Sequence, residues 1–355
     1  MNVLTGYIVR EILKGSLVAL LLLLTLFDLF TFSDELKDLG KGSYGLKQII
    51  YYVLLTSPTV IYELMPASAL LGCLFILGAM GNNRELTAMQ SAGVSVFGII
   101  KSALLAGAVL VFAAVLIGET IAPLTERAAQ TLKVTTQNEQ IVLEAKYGLW
   151  LREGKSFINV RQIKDDGSLA DISSYELNDK RQLQKAMHAD RATYLGKQQW
   201  KLTDIKQSHI FNDHITADAE SERTWQSSIA PDLLEIVVVK SDNLSIFDLA
   251  KYVYFLKQNH QKSQTFELAL WGRVVNPLVT FIMILVSAPF VIGIRRGMNV
   301  GGRMMIGVVI GMSFNIIDKI VGHIGLIYDL NPPLMAFLPS VTVFAIAIFA
   351  LRRVN

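Results

Sequence analysis

Hydrophobic positions in this chain collect into long runs, and six of these are long enough to cross a bilayer: Ile12–Phe32, Thr59–Met80, Val96–Ile121, Leu268–Ile294, Met304–Ile324 and Leu334–Leu351. A hydrocarbon core of about 30 Å takes roughly 20 apolar residues as helix, so each run predicts a membrane-spanning helix. Pro58, Pro66, Pro277 and Pro289 fall near or within the runs. Membrane helices accept proline because neighbouring helices re-satisfy the freed carbonyls. The first run follows Arg10 and Lys14 as in a signal peptide, but it lacks a small-x-small cleavage site and reads as an uncleaved span.

Between the third and fourth runs, from about residue 135 to 240, the pattern changes. "YGLWLREGKSFINVRQI" reads as two short strands around Glu153-Gly154, and "ADRATYLGKQQWKLTDIKQ" repeats the idea around Gly196-Lys197. Turn residues recurring about every ten positions suit an antiparallel β-sandwich or jelly roll. Trp150, Trp200 and Trp225 read as core aromatics of that insert. In "LSIFDLAKYVYFLKQN", Ser245 with Asp248 three residues on is a helix-start signature. Leu249, Val253 and Leu256 then follow at helical spacing. The predicted fold is an α-helical membrane protein of six transmembrane helices with an inserted antiparallel β jelly roll. Residues 1–134 hold spans one to three, with a short helix at about 82–93. Residues 135–240 form the β-domain, 241–266 a connecting helix, and 267–355 spans four to six.

Composition agrees with a polytopic membrane protein. Of 355 residues 52% are hydrophobic and 18% charged, against about 25% charged in a soluble domain. A net charge of +3 is too small to argue for nucleic acid, and the single cysteine, Cys73, cannot form an internal disulfide. Lys and Arg bias sets orientation. Arg10, Lys14, Arg84, Lys101, Arg295, Arg296, Arg303, Arg352 and Arg353 fall on one side. That places both termini in the cytoplasm and the polar insert outside.

Several chemistries find no support. The chain has no G-x-x-x-x-G-K-[ST], so it binds no ATP through a P-loop. His188, His209, His214, His260 and His323 lack metal-ligand spacing, and neither G-x-S-x-G nor H-E-x-x-H occurs. No catalysis and no bound cofactor are expected. Acidic residues within spans, here Asp28, Glu63 and Asp318, are functional candidates because charge is costly in hydrocarbon. A proton-coupled transporter could use them. Against that reading, Asp318 adjoins Lys319, Glu63 lies near the outer end of its span, and no carboxylate–histidine relay runs through the middle.

The segment "GNNRELTAMQSAGVS" leaves the membrane between spans two and three for longer than a hairpin needs. A short helix joined rigidly to two spans, with Leu86, Met89, Gln90 and Gly93 on one side, suits docking to a soluble ATPase, and a plain interfacial loop fits the same residues. Ala88 and Ala92 permit close approach, and Arg84 and Glu85 are free to pair with charges on the partner. The order of three spans, β-insert and three spans, with "RELTAMQSAG" after span two, resembles the lipopolysaccharide export permeases of Gram-negative bacteria. "LKDLGKGSYG", "YGLWLREGKSFINVRQI" and "LSIFDLAKYVYFLKQN" bring it nearer to the G than to the F subunits of that family.

The resemblance implies an ABC transporter in the inner membrane, with one paralogous F permease subunit and a cytoplasmic ATPase dimer that holds the ATP and magnesium. It further implies a single-span regulatory subunit, a periplasmic bridge protein, and lipopolysaccharide as cargo. It makes Arg84, Glu85, Leu86, Met89, Ala92 and Gly93 the ATPase-coupling residues. Basic residues after spans one and three, Lys37, Lys41, Arg127 and Lys133, are then expected to meet lipid phosphates. Ile158 and Val160, two apart on one strand face, are expected to line a greasy channel for acyl chains. A membrane scaffold that merely anchors the β-domain stays open beside this reading.

Overall fold

The computed structural model describes residues 3–137, 149–164, 167–178, 180, 182–211, 213–227, 241–259, 261–292 and 300–354. Arg295 and Arg296, and the parts of the β-insert at 138–148 and 228–240, lie outside the described residues. Helix α1 covers Val3–Glu35 and α2 Leu46–Asn82. The short α3, Glu85–Ser91, leads into α4, Val96–Leu116. A π-helical turn at Ile117–Ile121 joins α4 to α5, Ala122–Thr136. After the β-insert come α6 (Ile246–Gln258), α7 (Gln264–Ile292), α8 (Val300–Ile327) and α9 (Pro332–Val354). Among the described residues six stretches are long and apolar enough to cross a membrane, and each overlaps one of the six apolar runs; the end of the fourth run, at 293–294, lies outside the described residues.

Helix α2 is the centre of the bundle, packing on α1, α5, α7 and α8. Two of its partnerships follow from proline chemistry. Pro66 cannot donate to the carbonyl of Tyr62 four residues earlier, and the Asn276 amide of α7 reaches that oxygen at 3.5 Å. Pro277 likewise frees the carbonyl of Arg273, which accepts from the Tyr62 hydroxyl at 3.2 Å. Each helix thus supplies the bond that the other's proline removes.

Among the described residues the insert is a single antiparallel sheet of six strands in the order β1 to β6: Leu149–Glu153, Ser156–Ile163, Leu169–Leu177, Leu183–Gly196, Gln199–Ile210 and Ile215–Gln226. Neighbours in sequence are neighbours in the sheet throughout the described residues. Ser227, just past β6, donates to Glu153 of β1 at 2.8 Å, so the two edges of the sheet curl toward each other. The inner face carries Leu151, Ile158, Val160, Ile172, Trp200, Leu202 and Ile205, and α6 lies over it with Leu249, Tyr252, Phe255 and Leu256. Trp200 is fully buried there, whereas Trp150 is exposed and stacks on Tyr175. Trp150 is therefore a surface aromatic and not part of the core.

Candidate functional site

The segment between α2 and α4 is defined by its two ends. Arg84 starts α3 in the left-handed region, φ 62°, a conformation that costs a non-glycine residue on the order of 1 kcal/mol. At the other end Gly93, φ 89°, closes α3. Val94 N–H donates to the Met89 carbonyl at 3.0 Å and Gly93 N–H to that of Gln90 at 2.9 Å, the paired bonds of a glycine-terminated helix. The result is a seven-residue helix held at both ends by backbone geometry.

Its faces are split differently from the sequence expectation. Leu86 and Met89 are buried, packed with Ile8 and Ile12 of α1, Met80 of α2 and Ile99 of α4. They anchor α3 to the spans and are not presented to a partner. The physical reason is helix periodicity: residues three apart share a face, and that face seats the helix on its own protein. Arg84, Thr87, Ala88, Gln90, Ser91, Ala92 and Gly93 are exposed, leaving a small polar surface outward. Glu85 sits at the seam. Its carboxylate accepts from the Tyr7 hydroxyl at 3.0 Å and from the Asn83 amide at 3.3 Å.

At the opposite end of the bundle the four expected phosphate ligands are held by carboxylates of the chain itself. Lys37 pairs with Asp34 and Lys41 with Asp38, both at 2.8 Å. Lys133 reaches Glu35 at 2.8 Å and Asp38 at 3.0 Å, and lies over the Tyr52 ring. Tyr44 donates to Glu35 at 2.9 Å. Burial, reinforced by that bond, pushes the Tyr44 hydroxyl above the ordinary tyrosine range. Arg127 pairs with Asp248 at 2.8 Å and so ties α5 to α6. Lys133 and Arg127 join helices to each other, which the one-dimensional charge count did not reveal. Lys37, by contrast, is exposed, its side chain retaining 77% of its accessibility.

Ile158 and Val160 do share a strand face, but they are 1% and 0% exposed, beneath α6. In this arrangement they belong to a sealed sheet–helix core and not to an open channel. The amphipathic α6 needs to bury its apolar side, and the concave sheet is what it covers.

Sequence reasoning passed over a polar hub where α4, α6 and α7 converge on α2. Arg273, 4% exposed, donates to the Gly118 carbonyl at 2.8 Å and to Glu119 at 3.2 Å, with its guanidinium over the Tyr62 ring. The other Glu119 oxygen accepts from the Ile246 N–H at 2.8 Å, at the start of α6. The π-helical turn carries both Gly118 and Glu119. A side chain at Gly118 would collide with the Tyr62 ring. A signal for this hub was present: Tyr62 and Arg273 each stand four residues before an intramembrane proline.

The family model for the lipopolysaccharide export system permease LptF/LptG matches residues 6–353. The chain is 31% identical over 354 residues to the lipopolysaccharide export system permease protein LptG of Escherichia coli (strain K12), covering 99% of this chain and 98% of that protein. It is 31% identical over 353 residues to the protein of the same name from Haemophilus influenzae strain Rd, covering 99% of each.

Proposed function

The chain belongs to the LptF/LptG family of lipopolysaccharide export system permeases, and from that premise we propose how its parts share the work. It is a multi-pass permease subunit of a lipopolysaccharide export system, in the inner membrane. Both termini and α3 lie on the cytoplasmic side and the β-insert in the periplasm. Energy comes from a separate ATPase dimer that binds ATP and magnesium, and a paralogous F subunit completes the membrane part. A single-span regulatory subunit joins them, and a periplasmic bridge protein receives the lipid.

The observation that carries this reading is α3. A helix of seven residues, fixed at both ends and seated on three spans, presents only small and polar residues outward, with Glu85 at its edge. Such a part transmits force without deforming. A partner groove that admits it meets Ala88, Ala92 and Gly93 at close range and finds Arg84 and Glu85 for charge pairing. Leu86 and Met89 serve the same coupling from the inside, by holding α3 to α1, α2 and α4.

On the periplasmic side Lys37 and Lys41 are the first contacts for phosphate on the lipid headgroup, through charge-assisted hydrogen bonds. Lys133 and Arg127 join them once the lipid displaces Glu35, Asp38 or Asp248. Acyl chains contact Ile158 and Val160 only when α6 moves off the sheet. Glu85→Lys tests the central claim. Breaking a partly desolvated pair costs about 2–5 kcal/mol, so the variant should lose the ATPase subunit on purification or hydrolyse ATP without moving lipid. Normal recovery with full lipid transfer would remove Glu85 from the mechanism.

A further inference from the structure

We propose that Tyr7 is a positioning residue for ATP coupling, aiming the Glu85 carboxylate and binding α3 to α1; this rests on the coupling role assigned to α3. Three observations carry it. The Tyr7 hydroxyl donates to one Glu85 oxygen at 3.0 Å, while the Asn83 amide takes the other. Each oxygen keeps a lone pair for an incoming cation, so the two donors orient the carboxylate without consuming it. The left-handed turn at Arg84 brings Glu85 back toward α1 and leaves Arg84 itself exposed.

The second observation is the packing around that bond. Ile8 and Ile12, which follow Tyr7 on α1, belong to the same buried apolar cluster as Leu86 and Met89. The polar contact therefore sits at the rim of an apolar joint between α1 and α3, and displacement of α3 acts on α1 through both. The third is the shape of α1. It is one helix of 33 residues with no proline, about 50 Å long at 1.5 Å per residue. Its far end, Glu35, holds Lys133 and Tyr44. A rod with Glu85 at one end and the lysine cluster at the other connects ATPase docking to the place where headgroup phosphate is expected.

The test uses the full complex, reconstituted in proteoliposomes with lipopolysaccharide, and measures lipid released per ATP hydrolysed. Tyr7→Phe keeps the ring and its packing and removes only the donor. It should assemble normally and lower lipid released per ATP by roughly five- to tenfold, the scale of one ordinary intramolecular hydrogen bond. Made in a Glu85→Ala background, Tyr7→Phe should have no further effect, because its target is gone. A role for the hydroxyl that does not act through Glu85 would lower the yield equally in both backgrounds. If Glu85→Ala uncouples the complex while Tyr7→Phe transports normally, the role given to Tyr7 is wrong and the coupling reading stands. If Glu85→Ala itself transports normally, the coupling reading fails and takes this inference with it.

Discussion

Helices α2 and α8 are both apolar enough to span a membrane, yet they stand in opposite positions. In the most apolar stretch of α2, 67% of residues are buried within the chain; in that of α8 the figure is 6%. Helix α2 packs against α1, α4, α5, α7 and α8 and carries the Tyr62 contacts to α7 and to the π-helical turn. Helix α8 leaves Met305, Val309, Met312, Ile316 and Ile320 exposed in one continuous helical row. Hydrophobicity identifies a segment that leaves water, but in a bilayer a lipid tail satisfies leucine as well as another helix does. What distinguishes an inner from an outer helix is the small and polar detail. On α2 that detail is a glycine against α1, a tyrosine hydroxyl and a proline-freed carbonyl. The exposed row on α8 is then the surface left for lipid or, in the assembly proposed above, for the second permease subunit.

The comparison can be broken most forcefully at the buried charge beside α2. Arg273→Leu leaves Glu119 without its cation in a site where only 15% of its side chain is exposed. Losing one member of a buried pair costs about 3–5 kcal/mol, so the purified subunit should show a large fall in melting temperature, or fail to accumulate. Wild-type stability in that variant would mean the hub is not a structural pair.

Next in size is a matched pair of truncations. Leu70→Ala on α2, at a fully buried position, should cost about 2–5 kcal/mol. Met312→Ala on α8 should change the isolated subunit by less than about 0.5 kcal/mol, and if the proposed assembly holds should show its effect only as poorer recovery of the second permease subunit. Equal destabilisation of the isolated chain by both would erase the distinction between the two helices.

Glycines give a finer measure. A side chain at Gly72 would collide with the backbone and side chain of Ser16 on α1, whereas at Gly311 on α8 the nearest atom is the Ala67 Cβ at 3.9 Å. Gly72→Ala should therefore lower stability by about 1–3 kcal/mol, read as a melting shift in detergent, with no loss for Gly311→Ala. The smallest effects belong to the surface charges. Lys37→Gln should leave melting unchanged, because both side chains of its pair are largely in solvent. Lys133→Gln, which strips Glu35 of a partner in a half-buried site, should lower melting measurably. The reverse ranking would mean that the ion pairs at this end do not hold α1 to α5.

Much of this was legible in the chain. Six apolar runs fixed the spans, because a bilayer demands length before anything else. The Ser245–Asp248 start of α6 was also readable, since a helix cap is a local contract between neighbours: the Ser245 hydroxyl accepts from the Asp248 N–H at 3.1 Å. Alternation announced the strands. Which way α3 turns its apolar residues was not legible. Leu86 and Met89 suit a partner's groove and the chain's own bundle equally by sequence, and only the presence of Ile8 and Ile12 beside them decides. The same holds for Ile158 and Val160, whose alternation placed them on one face without saying that α6 covers it.

The cations divide along the same line. Composition along the chain determined that basic residues follow spans one and three, because they are neighbours in sequence of the apolar runs. That Lys133 answers Glu35 across 98 residues of chain, and Arg127 answers Asp248 across 121, only the tertiary structure decided. An ion pair depends on a separation of about 3 Å in space, and a sequence records separation only along the chain. So this sequence by itself determined the spans, the strands and the local caps, each set by neighbours within a few residues. The fold alone decided which face is closed, which charge is already answered, and that Tyr7 and Glu85 meet.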